Sequence, residues 1–160
     1  MAWTDPAVVA AAVGAVIGAA LTLFLGLVKT RHDARLQREE ELRRRRMDVS
    51  MAFCGAALDY RRAVLNQWYV RDRLGGKDAA AQAEPAVGED VRATRAAAWS
   101  RYYEVFMLSS DRVAAAADAA LQSAAAISGA TPARRTELSD QVHREIRRFA
   151  ELAATSVRTR

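Results

Sequence analysis

Cysteine is almost absent from this chain. Cys54 stands alone among 160 residues, so no internal disulfide can form, and the usage fits a reducing compartment. Histidine is nearly as scarce. His32 and His143 are too far apart to pair on one helix face, and neither sits in a Glu-x-x-His motif, which argues against a metal centre. Lysine occurs only at Lys29 and Lys77, and every other cation is arginine. With the abundant alanine, that preference points to a high-GC genome rather than to a function. Catalytic motifs are missing too. Gly75-Gly76-Lys77 lacks the earlier glycine and the following Ser or Thr of a phosphate loop. Ser139, Asp140 and His143 are close along one helical stretch, a spacing that does not build a nucleophile-base-acid triad. Without convergent titratable groups, the sequence predicts no enzyme, no cofactor and no metal.

What is present begins with an uninterrupted apolar run, Pro6 to Val28, whose only polar side chain is Thr22. As a helix it reaches roughly 33 Å, enough to cross a hydrocarbon core of about 30 Å. The preceding residues contain no Lys or Arg and the run is too long for a cleaved signal, so an uncleaved span is expected. Only Asp5 precedes it, whereas Lys29, Arg31, Arg35, Arg38 and Arg43 to Arg46 follow. This asymmetry predicts an outer amino terminus and a cytoplasmic remainder. Lys29, Arg31, Arg35 and Arg38 are then candidate contacts for lipid headgroups. Ala10, Gly14, Gly18, Thr22 and Gly26 recur every fourth residue and form a ridge of small side chains, a candidate face for homo-oligomers within the bilayer.

Charge after the span is uneven. Residues 29–46 hold eight cations against four carboxylates, and residues 47–160 hold sixteen against fourteen. The net charge of +5 is thus largely accounted for beside the span, and topology explains it better than nucleic-acid binding does. Residues 29–46 read as a solvated helical stalk, with Glu39–Arg43, Glu40–Arg44 and Glu41–Arg45 in the favourable i,i+4 order.

From residue 47 the pattern is that of a small helical bundle. Met47, Met51, Cys54, Leu58 and Leu65, with Trp68 beside them, share one face. Val49, Phe53, Ala56, Tyr60, Ala63 and Leu74 share nearly the opposite one. Apolar on two sides, this helix is expected to lie sandwiched at the centre of the bundle. A flexible connection follows over residues 75–90. A second helix opens at Glu89 and Asp90, burying Val91, Ala98, Trp99, Tyr102, Val105 and Phe106. The sequence leaves open a strand at Tyr102 to Leu108, and whether the next helix is separate or a kinked continuation. Ser109 or Ser110 is a candidate cap for that third helix, which carries Val113, Ala117, Ala120, Leu121, Ala124 and Ile127. Ser128-Gly129 stops it, and Thr131-Pro132 starts a fourth with Leu138, Val142, Ile146, Phe149, Leu152 and Ala153 on its stripe. Glu104 falls on a polar side and is expected to be solvated.

The fold class is therefore all-α: residues 1–28 a short exterior segment and transmembrane helix, 29–46 a charged stalk, 47–160 a cytoplasmic bundle. The apolar span followed by the stalk REEELRRRR resembles in outline the peripheral-stalk b subunit of rotary ATP synthases, which would imply a stator-like role. That family continues as one long helix where this chain folds back after Leu74. The layout also resembles that of uncharacterised single-pass proteins of high-GC actinobacteria. There, the stretch from Tyr102 to Leu121 looks like an aromatic-aliphatic helix end, a Ser-rich break and an Ala-rich helix. That resemblance implies a membrane-anchored helical tail and no activity. A binding or scaffold module is the expected function. An oligomeric holin-like pore ranks lower, because Thr22 is the span's only polar lining.

Overall fold

The computed structural model describes the backbone of residues 6–73 and 77–158, and the side chains of residues 33–72 and 84–158. Among the described residues four α-helices succeed one another: α1 Pro6–Arg73, α2 Lys77–Leu108, α3 Asp111–Ala126 and α4 Pro132–Arg158. A 3-10 turn, Ile127–Gly129, lies between the last two. There is no strand among the described residues, and Tyr102 to Leu108 is helical. The chain divides into two compact units, residues 1–42 and 43–160, and each is taken by itself.

Among the described residues no helix is long and apolar enough to cross a membrane. The expected single-pass placement, with an outer amino terminus and a cytoplasmic bundle, is corrected on that finding. The described part of α1 opens on Asp33, Arg35, Arg38, Glu39, Glu40 and Glu41 and runs into four consecutive arginines. Desolvating such a run is far too costly for a lipid interior. The apolar run 6–28, with the ridge Ala10, Gly14, Gly18, Thr22 and Gly26, lies outside the residues whose side chains are described.

The second unit is an up-down-up-down bundle. Arg46 donates to the Leu108 carbonyl at 2.8 Å and Arg71 to Glu84 at 2.9 and 2.7 Å, so α2 runs back along α1. Phe53 meets Phe149, Arg61 meets Ser139, and Trp68 meets Arg135, so α4 is antiparallel to α1 as well. The core draws on all four helices: Phe53, Ala57, Tyr60 and Val64 from α1, and Ala98 and Val105 from α2. The α3 row centres on Ala117, Leu121 and Ala124, and the α4 row on Leu138, Val142 and Phe149. Alanine dominates α3, so the neighbouring helices close in on it; α3 packs on both α2 and α4.

Helix ends follow local chemistry. The chain breaks at Ser109–Ser110, which makes α2 and α3 separate helices. The cap there is the Ser110 backbone carbonyl, which accepts from Val113 and Ala114 at 2.9 and 3.0 Å, and the Ser110 hydroxyl makes no capping bond. The Thr131 carbonyl does the same for Arg134 and Arg135, and Pro132 needs no donor at that first position.

Two expectations change. The connection expected over 75–90 is helical from Lys77, with Pro85 inside α2. The alanine-rich KDAAAQAE segment has enough helix propensity to outweigh the hydrogen bond that Pro85 removes. The sandwiched helix also fails. Phe53 and Tyr60 are buried, but Met47 and Met51 are 51% and 66% exposed. The other three helices enclose one side of α1 and cover the other only in part, leaving Cys54, Leu58 and Leu65 half-buried and Met47 and Met51 in solvent.

Candidate functional site

The half-covered side of α1 is the first candidate surface. Met47, Met51 and Cys54 recur at i, i+4 and i+7 on α1 and face Ala150, Ala154 and Val157 of α4. The alanines keep the α4 surface low while the methionines stand up beside it, leaving a groove of about 420 Å³. Cys54 is half-buried in its floor, and burial pushes its thiol above the ordinary value, so it is a poor nucleophile. Arg158 closes the end beside Met47.

Over the next turns of the same α1 face lies a more polar cleft of about 760 Å³, where Leu58, Leu65 and Tyr69 look across to His143, Asp90 and Thr94. Its charges are largely engaged. Arg61 donates to the Ser139 hydroxyl and, at 3.4 Å, to the Ser139 carbonyl. Burial pulls the Arg61 guanidinium below its usual pKa, and Asp140 opposes that shift. Arg62 pairs with Asp59 at 3.5 Å. The sequence neighbours Ser139, Asp140 and His143 therefore serve different ends. Ser139 is a buried anchor for Arg61, while Asp140 and His143 are exposed.

Behind α1's far end, the Arg135 guanidinium lies 4.4 Å over the Trp68 ring. Its Nε and Nη1 are buried without hydrogen-bond partners, so the ring face is what compensates the desolvated cation.

A second apolar surface occupies the end of α2. Trp99 and Tyr103 each stack near Tyr102, with centroids at 5.3 Å in both cases, and Phe106 lies 6.2 Å further along. Tyr103 and Phe106 are each 57% exposed and Met107 74%. Burial raises the pKa of Tyr102, with Asp118 and Tyr103 adding to the shift. The sequence reading placed Phe106 on the buried stripe, where it is not, and passed over Tyr103 and Met107. The consecutive aromatics Tyr102-Tyr103 were the available signal, since one helix face cannot bury both. Glu104 is paired with Arg101 at 2.8 Å.

The remaining sequence candidates do not converge. Arg35 and Arg38 are exposed, with Arg35 3.5 Å from Glu39, and the side chains of Lys29 and Arg31 lie outside the described residues. Among the described residues no group of three His, Cys, Asp or Glu could hold a metal ion.

A helical bundle carrying two exposed apolar surfaces and a polar cleft has the build of a helical scaffold or interaction module. Residues 47–157 match the model of the KilB plasmid transfer protein, and the chain belongs to that family. No curated protein and no solved structure matches it. The match gives no support to the single-pass actinobacterial layout suggested by the sequence.

Proposed function

We propose that this chain serves plasmid transfer as a binding module without catalytic activity, recruiting a protein partner through its exposed apolar surfaces. The observation that carries the reading is a coincidence of boundaries. The family match, 47–157, falls inside the compact unit 43–160, which holds both the α1–α4 groove and the α2 aromatic surface. Large apolar side chains left in solvent cost solubility, and a surface that keeps several together is suited to association. The pore and stator readings gain no observation in their favour.

The test is transfer of the plasmid between cells when the natural gene is replaced by variants. Tyr103→Ser with Phe106→Ser should lower transfer frequency by about tenfold or more, in line with loss of an aromatic anchor. Both side chains are more than half exposed, so the circular dichroism spectrum and melting temperature should stay those of the parent. Unchanged transfer in this variant and in Met51→Glu would overturn the reading.

A further inference from the structure

We infer that the aromatic face at the end of α2 pairs with the same face of a second copy of the chain, the two α2 helices lying antiparallel across a two-fold axis. The inference rests on the interaction-module reading above and names the partner of that surface.

The spacing is that of a seam between two helices. Ala96, Trp99, Tyr103 and Phe106 follow at steps of three, four and three residues, which keeps them in line along a facing helix. Ala96, Tyr103 and Phe106 are exposed and Trp99 is half-buried. Ser100 and Met107, also exposed, border the row, and none of these six residues is charged. Such a strip offers no charge to choose an acidic or a basic partner, so shape decides.

The shape is complementary to itself. In an antiparallel pair, setting Trp99 of each protomer against Tyr103 of its partner brings Phe106 of each over Ala96 of the other. A large side chain then meets a small one at both ends of the seam, as interdigitating helices require. Parallel pairing would set Trp99 on Trp99 and leave Ala96 facing Ala96. It would also bring Arg92 to Arg92 and Arg95 to Arg95, and like charges in register are costly. Antiparallel pairing moves these arginines beside the carboxyl end of the other α2. That end carries the negative pole of the helix dipole, and its last turn holds no basic residue.

Area sets the strength. Tyr103 and Phe106 are each 57% exposed and Met107 is 74% exposed. With roughly 150 to 250 Å² per ring, the strip offers roughly a few hundred Å². That is a functional patch, yet smaller than the side of about 800 Å² that a stable complex uses. The dimer is accordingly weak, with a dissociation constant of about 1 μM or higher.

Other occupants fit less well. Nucleic acid needs free cations along the strip, and Arg92 and Arg101 are paired with Glu89 and Glu104. Insertion of the α2 ridge into the α1–α4 groove of the next copy is a head-to-tail contact, which leaves the size matching along the seam unused.

The experiment follows the full chain by sedimentation over a wide concentration range. Phe106→Ala should raise the dissociation constant about tenfold or more. Ala96→Phe should do likewise, because two rings then collide. The double exchange, Ala96→Phe with Phe106→Ala, should return it to within about threefold of the parent, since the paired volumes are restored. Both positions are exposed, so circular dichroism should show an unchanged fold. Met51→Glu should leave association unaltered. Direction is read by cross-linking after Cys54→Ser removes the single native thiol. A short bismaleimide should join two copies through Ser100→Cys, which lies near the two-fold axis. It should not join them through Arg92→Cys, whose mates lie about 27 Å apart along the seam.

Absence of concentration-dependent association, or association indifferent to Phe106→Ala, overturns the inference. So does a double exchange as weak as either single one, cross-linking through Arg92→Cys, or a dimer dissolved by Met51→Glu. If no dimer forms yet Tyr103→Ser with Phe106→Ser still abolishes plasmid transfer, the interaction-module reading stands and only the second copy falls. If the dimer forms as expected but that variant and Met51→Glu transfer normally, the pairing stands and the function falls.

Discussion

The two apolar faces of α1 are built from side chains of similar size and meet opposite fates. Phe53, Ala57, Tyr60 and Val64 are enclosed by the other three helices, and the Phe53 ring meets Phe149 edge-on with centroids 4.7 Å apart. On the other face Met47 and Met51 are half or more in solvent, and Cys54 and Leu58 are only partly covered. The enclosed face carries rigid aromatic and β-branched residues that fit one arrangement. The open face carries methionines, which accept many. Composition of this kind divides a face that stabilises the bundle from one available to a partner.

The sharpest way to break that contrast is to truncate both faces. Phe53→Ala or Phe149→Ala should each cost about 3 to 5 kcal/mol in urea denaturation, from lost burial plus an unfilled cavity. The double variant should fall short of additivity by about 0.5 to 1.5 kcal/mol, the share of the ring-ring contact. A smaller loss, about 1 to 3 kcal/mol, is expected for Arg61→Met, because it leaves the buried Ser139 hydroxyl without its donor.

The comparison also has a pH dimension. Burial raises the Tyr60 pKa, with Arg95 opposing, so the fold favours the neutral phenol. Stability from this group is fully present below the unfolded value of about 10 and is lost as pH rises through the higher folded value. The denaturation midpoint should accordingly drop on the alkaline side, and Tyr60→Phe should flatten that drop. The smallest effect belongs to the open face: Met51→Ala should stay within about 0.5 kcal/mol of the parent. A loss comparable to that of Phe53→Ala would mean that something covers this face in the free protein.

The rows on α3 and α4 were legible because each of these helices buries one face, and a single stripe such as Leu138, Val142, Ile146 and Phe149 has one reading. The α1 pattern was misread as a sandwich because periodicity records which faces are apolar, not how many neighbours are present to cover them. Residues 75–90 were misread for a related reason. Pro85 and Gly88 marked a break, but the Ala-rich run around Pro85 and the pairing of Glu84 with Arg71 favour a helix. The Ser139 anchor could not be seen at all, since Arg61 lies 78 residues away in the chain.

By itself the sequence determined an all-helical bundle, the start of α4 at Pro132 and the stripe that each of the last two helices buries. These follow from local backbone chemistry and from a 3.6-residue period, both written in neighbouring residues. The tertiary structure alone decided which face of α1 is enclosed, which aromatics of α2 stay in solvent, and that Arg158 stands beside Met47. Those depend on how antiparallel helices align across the bundle, and that alignment is set by the packing of side chains distant in sequence.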